Sequence, residues 1–221
     1  MKLTALQYGK TTLPESMVRV DGDPQKSYPI SLLFFLLETE GKRILIDTGC
    51  DTMKGFVLLE HESPVQTLEH LGISPQEITH VILTHAHHDH ADGVRYYPNA
   101  TVFIHQAELP QASAYLTAAK EVVAFTEAFS PASGVTVRPV CGHSDGSCVV
   151  ELTTHGKPLV LCGDECYHKS CFSFPHRSGG SRHRENTLAF FERYGKDNYQ
   201  TILFHDPELV GYVGTKVLYE E

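Results

Sequence analysis

The sequence predicts a layered α/β fold. Two observations predict it: short runs rich in β-branched and aromatic residues recur along most of the chain, and segments with helix-start signals separate several of them. With 221 residues, 41% of them hydrophobic, the chain is long enough to bury a substantial core. One domain spanning residues 1–221 is expected.

In chain order, strands are expected over residues 31–38, 43–47, 79–84, 101–105, 135–139, 148–154, 159–162 and 201–205. The first is the most apolar stretch and far shorter than the ~20 residues a membrane span requires, so it reads as a buried strand. A helix should start at Ser63-Pro64, where a capping serine precedes proline at the first helical position and Val65, Leu68 and Leu71 form an apolar stripe that Gly72 ends. Ser74-Pro75-Gln76-Glu77 repeats the start signal as a capping box with room for only a short turn. Longer helices are expected over residues 112–129 and 184–193. Residues 176–183, rich in glycine and serine, read as a mobile surface segment.

The formal net charge is -9, from 27 acidic and 18 basic side chains, which disfavours nucleic acid and anionic membrane as partners and points to a small-molecule substrate. The amino terminus lacks a charged lead followed by an apolar run, so neither signal peptide nor anchor is expected and a cytoplasmic location is. The six cysteines, at 50, 141, 148, 162, 166 and 171, are expected as thiols filling small apolar spaces.

The chemistry centres on Val81-Ile82-Leu83-Thr84-His85-Ala86-His87-His88-Asp89-His90, where an apolar strand runs directly into potential metal ligands. Alternation sends His85 and His87 to one side, and a turn can bring Asp89 and His90 towards the same point. Imidazole and carboxylate are the donors that hold zinc while leaving a position open for water. Histidines capping a strand are common singly, but not at this density beside an aspartate. His88 is expected to face solvent or support its neighbours. Gly142-His143, Gly163-Asp164 and Phe204-His205-Asp206 follow later strands or turns and supply further donors.

This pattern, His-x-His-x-Asp-His after an apolar strand with later Gly-His, Asp and His, resembles the metallo-β-lactamase superfamily across nearly the whole chain. Ile44-Leu45-Ile46-Asp47-Thr48-Gly49 resembles its N-terminal strand and turn, whose aspartate supports the ligand loop. The resemblance implies an αβ/βα sandwich of two mixed sheets with outer helices. It implies a first metal on His85, His87 and His143, a second on Asp89, His90 and His205, and Asp164 bridging the two. A hydroxide shared by the metals would then attack a carbonyl, and Asp89 would pass a proton to the leaving group. Two zinc ions are expected, and the same donors suit iron or manganese.

Within the superfamily the chain is most similar to N-acyl-homoserine lactone lactonases. The resemblance implies that Tyr167, three residues after Asp164, donates a hydrogen bond to the substrate carbonyl. Phe172 and Phe174 are candidates for an apolar wall along an acyl chain. The usual Gly-His-Thr/Ser-x-Gly-His turn is here Gly142-His143-Ser144-Asp145-Gly146-Ser147, which puts serine where the family has histidine and sets Asp145 near a ligand. Phe204 stands where the lactonases have glycine and is expected to narrow the pocket. Two alternatives stand beside this reading. One is a glyoxalase II-like thioester hydrolase, with Arg177, Arg182 and Arg184 receiving an anionic thiol conjugate. The other is a non-catalytic metal-binding sensor domain.

Overall fold

A computed structural model describes residues 1–173 and 178–221. In chain order the strands are β1 (Lys2–Pro14), β2 (Ser27–Thr39), β3 (Lys42–Ile46), β4 (His80–Ile82), β5 (Thr101–His105), β6 (Glu121–Phe125), β7 (Phe129–Ala132), β8 (Val135–Pro139), β9 (Cys148–Leu152), β10 (Leu159–Leu161), β11 (Gln200–Ile202) and β12 (Gly214–Glu220). They form two mixed sheets, ordered β12-β1-β2-β3-β4-β5-β6 and β11-β10-β9-β8-β7. In the first, β12 to β3 pair antiparallel and β3 to β6 parallel. In the second, only β10 and β11 run parallel.

The apolar run of β2 is explained by burial on both faces. Leu33, Phe35 and Leu37 point between the sheets, where they meet Val137, Val150, Leu161 and Phe204. Leu32, Phe34 and Leu36 point to the outer side and pack with Val81, Val94 and Ile104 in a second core. A third core lies outside the other sheet, where the helix Arg184–Tyr194 places Phe190, Phe191 and Tyr194 on Val149 and Val160. Two sheets face to face, each backed on its outer side, form the expected sandwich.

Both predicted helix starts are realised. Ser63 and Gln66 complete a reciprocal capping box on the helix Pro64–Glu69, and Ser74 and Glu77 do the same on the short turn Pro75–Glu77. The helix expected over 112–129 does not form. Short turns at Leu109–Ala112 and Tyr115–Ala118 give way to β6, all of whose residues pair with β5. Val122 and Val123 suit that extended pairing, and the helical pattern misread them. β1, β7 and β12 were not anticipated; in β1 the buried Thr4, Gln7 and Thr11 interrupt the apolar pattern. No helix among the described residues is long and apolar enough to cross a membrane.

Candidate metal centre

All seven predicted ligands meet at one edge of the two sheets. His85 Nε2 lies 2.9 Å from His87 Nδ1, and His143 Nε2 lies 3.0 Å from the same atom. Asp164 Oδ2 stands 3.7 Å from His85 Nε2 and 3.5 Å from His143 Nε2. Its other oxygen, Oδ1, lies 3.1 Å from both His90 Nε2 and His205 Nε2. Asp89 Oδ2 completes that second group, 3.7 Å from His90 Nε2 and 3.9 Å from His205 Nε2. Asp164 therefore faces both groups, one oxygen to each.

Local structure explains this convergence. β4 ends at Ile82, and backbone bonds carry the chain on beside β3 and β5 until His87 starts the short helix His88–Ala91. That turn swings Asp89 and His90 back towards His85. His143, Asp164 and His205 each follow a strand of the second sheet, namely β8, β10 and β11. Ligands at strand ends inherit the small positional error of a hydrogen-bonded sheet.

The outward ring nitrogens are held by other partners. His90 Nδ1 donates to Asp47 Oδ2 at 2.7 Å, His143 Nδ1 to Gly180 O at 2.7 Å and His205 Nδ1 to Ser31 O at 2.9 Å. His85 Nδ1 lies 3.1 Å from Thr84 Oγ1, whose hydroxyl donates to Asp47. In the neutral form that binds metal, a proton on Nδ1 leaves the Nε2 lone pair of these four rings facing inward. His90 Nε2, His205 Nε2 and Asp164 Oδ1 are buried and have no hydrogen-bond partner. Orphaned donors of this type are costly unless something else satisfies them. The donor set and its orphaned atoms fit two cations, one per group.

The electrostatics agree. Burial holds His85 well below the ordinary histidine value, with neighbouring imidazoles adding to the effect, so it stays neutral. Burial opposes charge on His90 and His205, yet Asp164 and Asp89 raise both, and Asp47 adds to His90. Burial alone would push Asp164 up, but His90 and His205 hold its carboxyl well below the usual range. The pocket thus draws positive charge towards Asp164.

Tyr167 lies beside the cluster. Its hydroxyl donates to Asp164 Oδ2 at 2.5 Å, and its ring stacks on His205 at 5.0 Å. Burial and the Asp164 carboxylate raise its pKa well above 10.0, so it remains a donor. His88 stays outside the cluster, bonded to Tyr115 Oη at 3.2 Å and Thr52 O at 2.7 Å.

A cavity of about 340 Å³ opens over the cluster. His87, Asp89, His143, Asp164, Tyr167 and His205 form its floor, and Leu13, Met17, Ile30, Met53 and Phe56 form an apolar wall. That wall corrects the sequence expectation. Phe172 packs on Phe190 and Phe191 at 5.9 and 5.2 Å in the outer core, and Phe174 lies outside the described residues. Phe204 does not narrow the cavity: it is fully buried between the sheets against Phe35, at 4.6 Å. Asp145 turns to the surface, where it pairs with Arg182 at 3.0 Å and His183 at 2.6 Å, away from the ligand cluster. The glycine-serine segment is also reassigned. Ser178 is buried, and Gly179 and Gly180 line the cavity, while residues 176–177, Arg177 included, lie outside the described residues.

Two buried acids that hold the ligand loops escaped the sequence reading. Glu165 accepts hydrogen bonds from the backbone N–H groups of Gly142 and His143, each at 3.2 Å, and from the Ser147 hydroxyl. Burial pushes its carboxyl up to about 7. Glu108 makes similar bonds to two ligand loops at once. Serine at 147, where the family has histidine, has a clear purpose here as a donor to Glu165.

Comparison with known proteins agrees with the geometry. A family model described as metallo-beta-lactamase superfamily matches residues 32–202. The chain is 24% identical to the N-acyl homoserine lactonase AiiB of Agrobacterium fabrum (strain C58), covering 94% of each. It is 27% identical to an N-acyl homoserine lactonase of Bacillus cereus, over 77% of this chain and 78% of that one. Among solved structures it resembles an N-acyl homoserine lactone hydrolase with N-hexanoyl-L-homoserine bound at its catalytic metal centre, at a TM-score of 0.82, 22% identity and 92% coverage of each chain. It also resembles AidC, a dizinc quorum-quenching lactonase, at a TM-score of 0.75 and 18% identity, covering 99% of this chain and 94% of that one.

Proposed function

The chain belongs to the metallo-β-lactamase superfamily, and from that premise we propose that it is a two-metal hydrolase that opens the ring of N-acyl-homoserine lactones, acting as a single domain of residues 1–221. One observation carries the reading: two donor groups share Asp164 on the floor of a cavity whose wall is apolar, and the Tyr167 phenol on that floor reaches the same aspartate. His85, His87 and His143 would hold one zinc ion, Asp89, His90 and His205 the other, with Asp164 between them. When bound, such a pair lowers the pKa of a shared water towards ~7 and polarises a carbonyl oxygen.

The protein's own residues do the rest. Leu13, Met17, Ile30, Met53 and Phe56 take the acyl chain and keep bulk water from the carbonyl. The Tyr167 hydroxyl, protonated and already aimed into the floor, turns from Asp164 to the substrate oxygen as charge builds there. Asp89, part-exposed at the cavity edge, is placed to carry a proton to the departing ring oxygen. Arginines for an anionic thiol conjugate are less well supported, since Arg182 is engaged by Asp145.

The test is hydrolysis of a matched panel by zinc-loaded protein, with metal content assayed on the same sample. The panel holds short- and long-acyl homoserine lactones, a glutathione thioester, a cephalosporin and an aryl ester. Turnover dominated by the lactones is expected. Preference for the thioester would move the substrate to the glyoxalase II-like class, and silence with two metals bound would favour a sensor domain.

A further inference from the structure

We propose that Glu108 is a positioning residue: its carboxylate locks the loop carrying His85 and His87 to the loop carrying His143, and so sets the three-imidazole site. The inference rests on reading the cluster as a metal centre. Glu108 ends the turn Gln106–Glu108 after β5, and it is only 2% exposed. Its Oε2 accepts from the Ala86 N–H at 2.8 Å, between the two histidines of the first loop. Its Oε1 accepts from the Ser144 hydroxyl at 2.7 Å and the Gly146 N–H at 2.8 Å, just after His143 in the second. Among the described residues, the ligands aside, no other side chain hydrogen-bonds to both loops.

The packing leaves little alternative. A Cβ at Gly146 would collide with the His105 ring and crowd Glu108 Cγ, so the second loop lies with its bare backbone against the turn that carries Glu108. Ala86 and Ser144 are both nearly inaccessible, so water cannot take over the donors if the carboxylate is lost. The group holding Asp89, His90 and His205 is tied elsewhere, through Asp47 and Ser31. Glu108 therefore acts on one half of the centre.

The variant is Glu108→Gln, which keeps the volume but turns an amide donor towards either the Ala86 or the Gly146 N–H. It is made in two backgrounds of the full chain. His205→Ala leaves the three-imidazole site, and His87→Ala leaves the other. Zinc affinity is read by competition with a chromophoric chelator, beside the urea midpoint of each metal-free protein. Glu108→Gln should weaken zinc about 10- to 100-fold in the His205→Ala background, and by less than about 3-fold in the His87→Ala background. Ser144→Ala, which removes one of the three donors and keeps the acid, should act in the same direction and by less, and it serves if Glu108→Gln fails to fold. Equal weakening in both backgrounds would make Glu108 a general packing residue and overturn the proposal, as would unchanged affinity in both. Absence of zinc from the unsubstituted chain would instead overturn the metal reading on which the proposal stands.

Discussion

Asp47→Asn tests how the centre controls its own protons. Asp47 is fully buried, with Oδ1 accepting from the Thr84 N–H at 2.7 Å and Oδ2 accepting from the Thr84 hydroxyl at 2.8 Å and from His90 Nδ1 at 2.7 Å. Its backbone φ is 60°, a left-handed conformation that asparagine also tolerates, so the exchange leaves the chain path intact. If the amide oxygen stays on the Thr84 N–H, the new NH₂ group faces His90 Nδ1. In the neutral form that binds metal, His90 then relieves the clash of donors by carrying its proton on Nε2, the atom 3.1 Å from Asp164 Oδ1 that would hold the cation. A bond to a charged acceptor is worth about 1.5–3 kcal/mol. Burial holds the Asp47 carboxyl above its ordinary value, so its loss is partly offset and the lower end applies. The metal-free variant should melt about 3–6 °C lower, while zinc at the Asp89, His90 and His205 group weakens about 10- to 100-fold. Zinc competition in the His87→Ala background and nitrogen-15 spectra of the imidazoles check both. Unchanged affinity, with the same nitrogen-15 signature for His90 in both proteins, would refute the reasoning.

Two further outcomes follow from individual groups. Tyr167→Phe should keep two zinc ions per chain and lose about 100-fold in kcat/KM on lactones, because one carbonyl donor is removed; undiminished turnover would leave the phenol a packing residue. Burial pushes the Glu165 carboxyl up to about 7 from an ordinary 4.5, so the folded chain holds this proton more tightly than the unfolded one. Its contribution to stability is therefore fullest below about 4.5 and is lost as pH rises through about 7. Between about pH 5 and about pH 8 the metal-free protein should lose roughly 2–3 kcal/mol relative to Glu165→Gln, by urea unfolding of both. A gap between the two that does not change with pH would contradict the shift.

The ligands were legible because their chemistry is written locally. His85 to His90 lie within six consecutive positions after an apolar strand, and His143, Asp164 and His205 each stand a few residues beyond a recognisable strand. The two-sheet architecture was legible for the same reason, since β2 to β5 and β8 to β11 carry dense β-branched or aromatic residues. What failed depends on distant partners. Glu121 to Phe125 looked helical in isolation and is a strand because β5 offers it a full ladder. Phe204 looked like a pocket residue from its place beside His205, but alternation turns it into the core against Phe35. Met53 and Phe56, in an irregular stretch with no periodicity, gave no signal that they line the cavity.

The supports other than Asp47 were the least legible part and bear most on function. Asp47, Glu108 and Glu165 are all buried, none lines the cavity, and each grips the backbone beside at least one ligand: Thr84, Ala86 and Gly146, and Gly142 and His143. A glutamate after a strand or beside an aspartate is ordinarily a solvated residue, so only the fold reveals the roles of Glu108 and Glu165, whereas the Asp47 turn was recognisable in the sequence. Burying three acids around Asp89 and Asp164 is costly in a dry interior unless positive charge answers it. Hydrogen bonds from the ligand loops answer part of that cost, and they do so by fixing the loops. The remaining deficit of positive charge is concentrated at Asp164 between the two imidazole groups, which is where the orphaned donor atoms also converge. Rigidity and cation affinity in this centre thus have one physical origin: acids placed where only ordered backbone and bound cations can satisfy them.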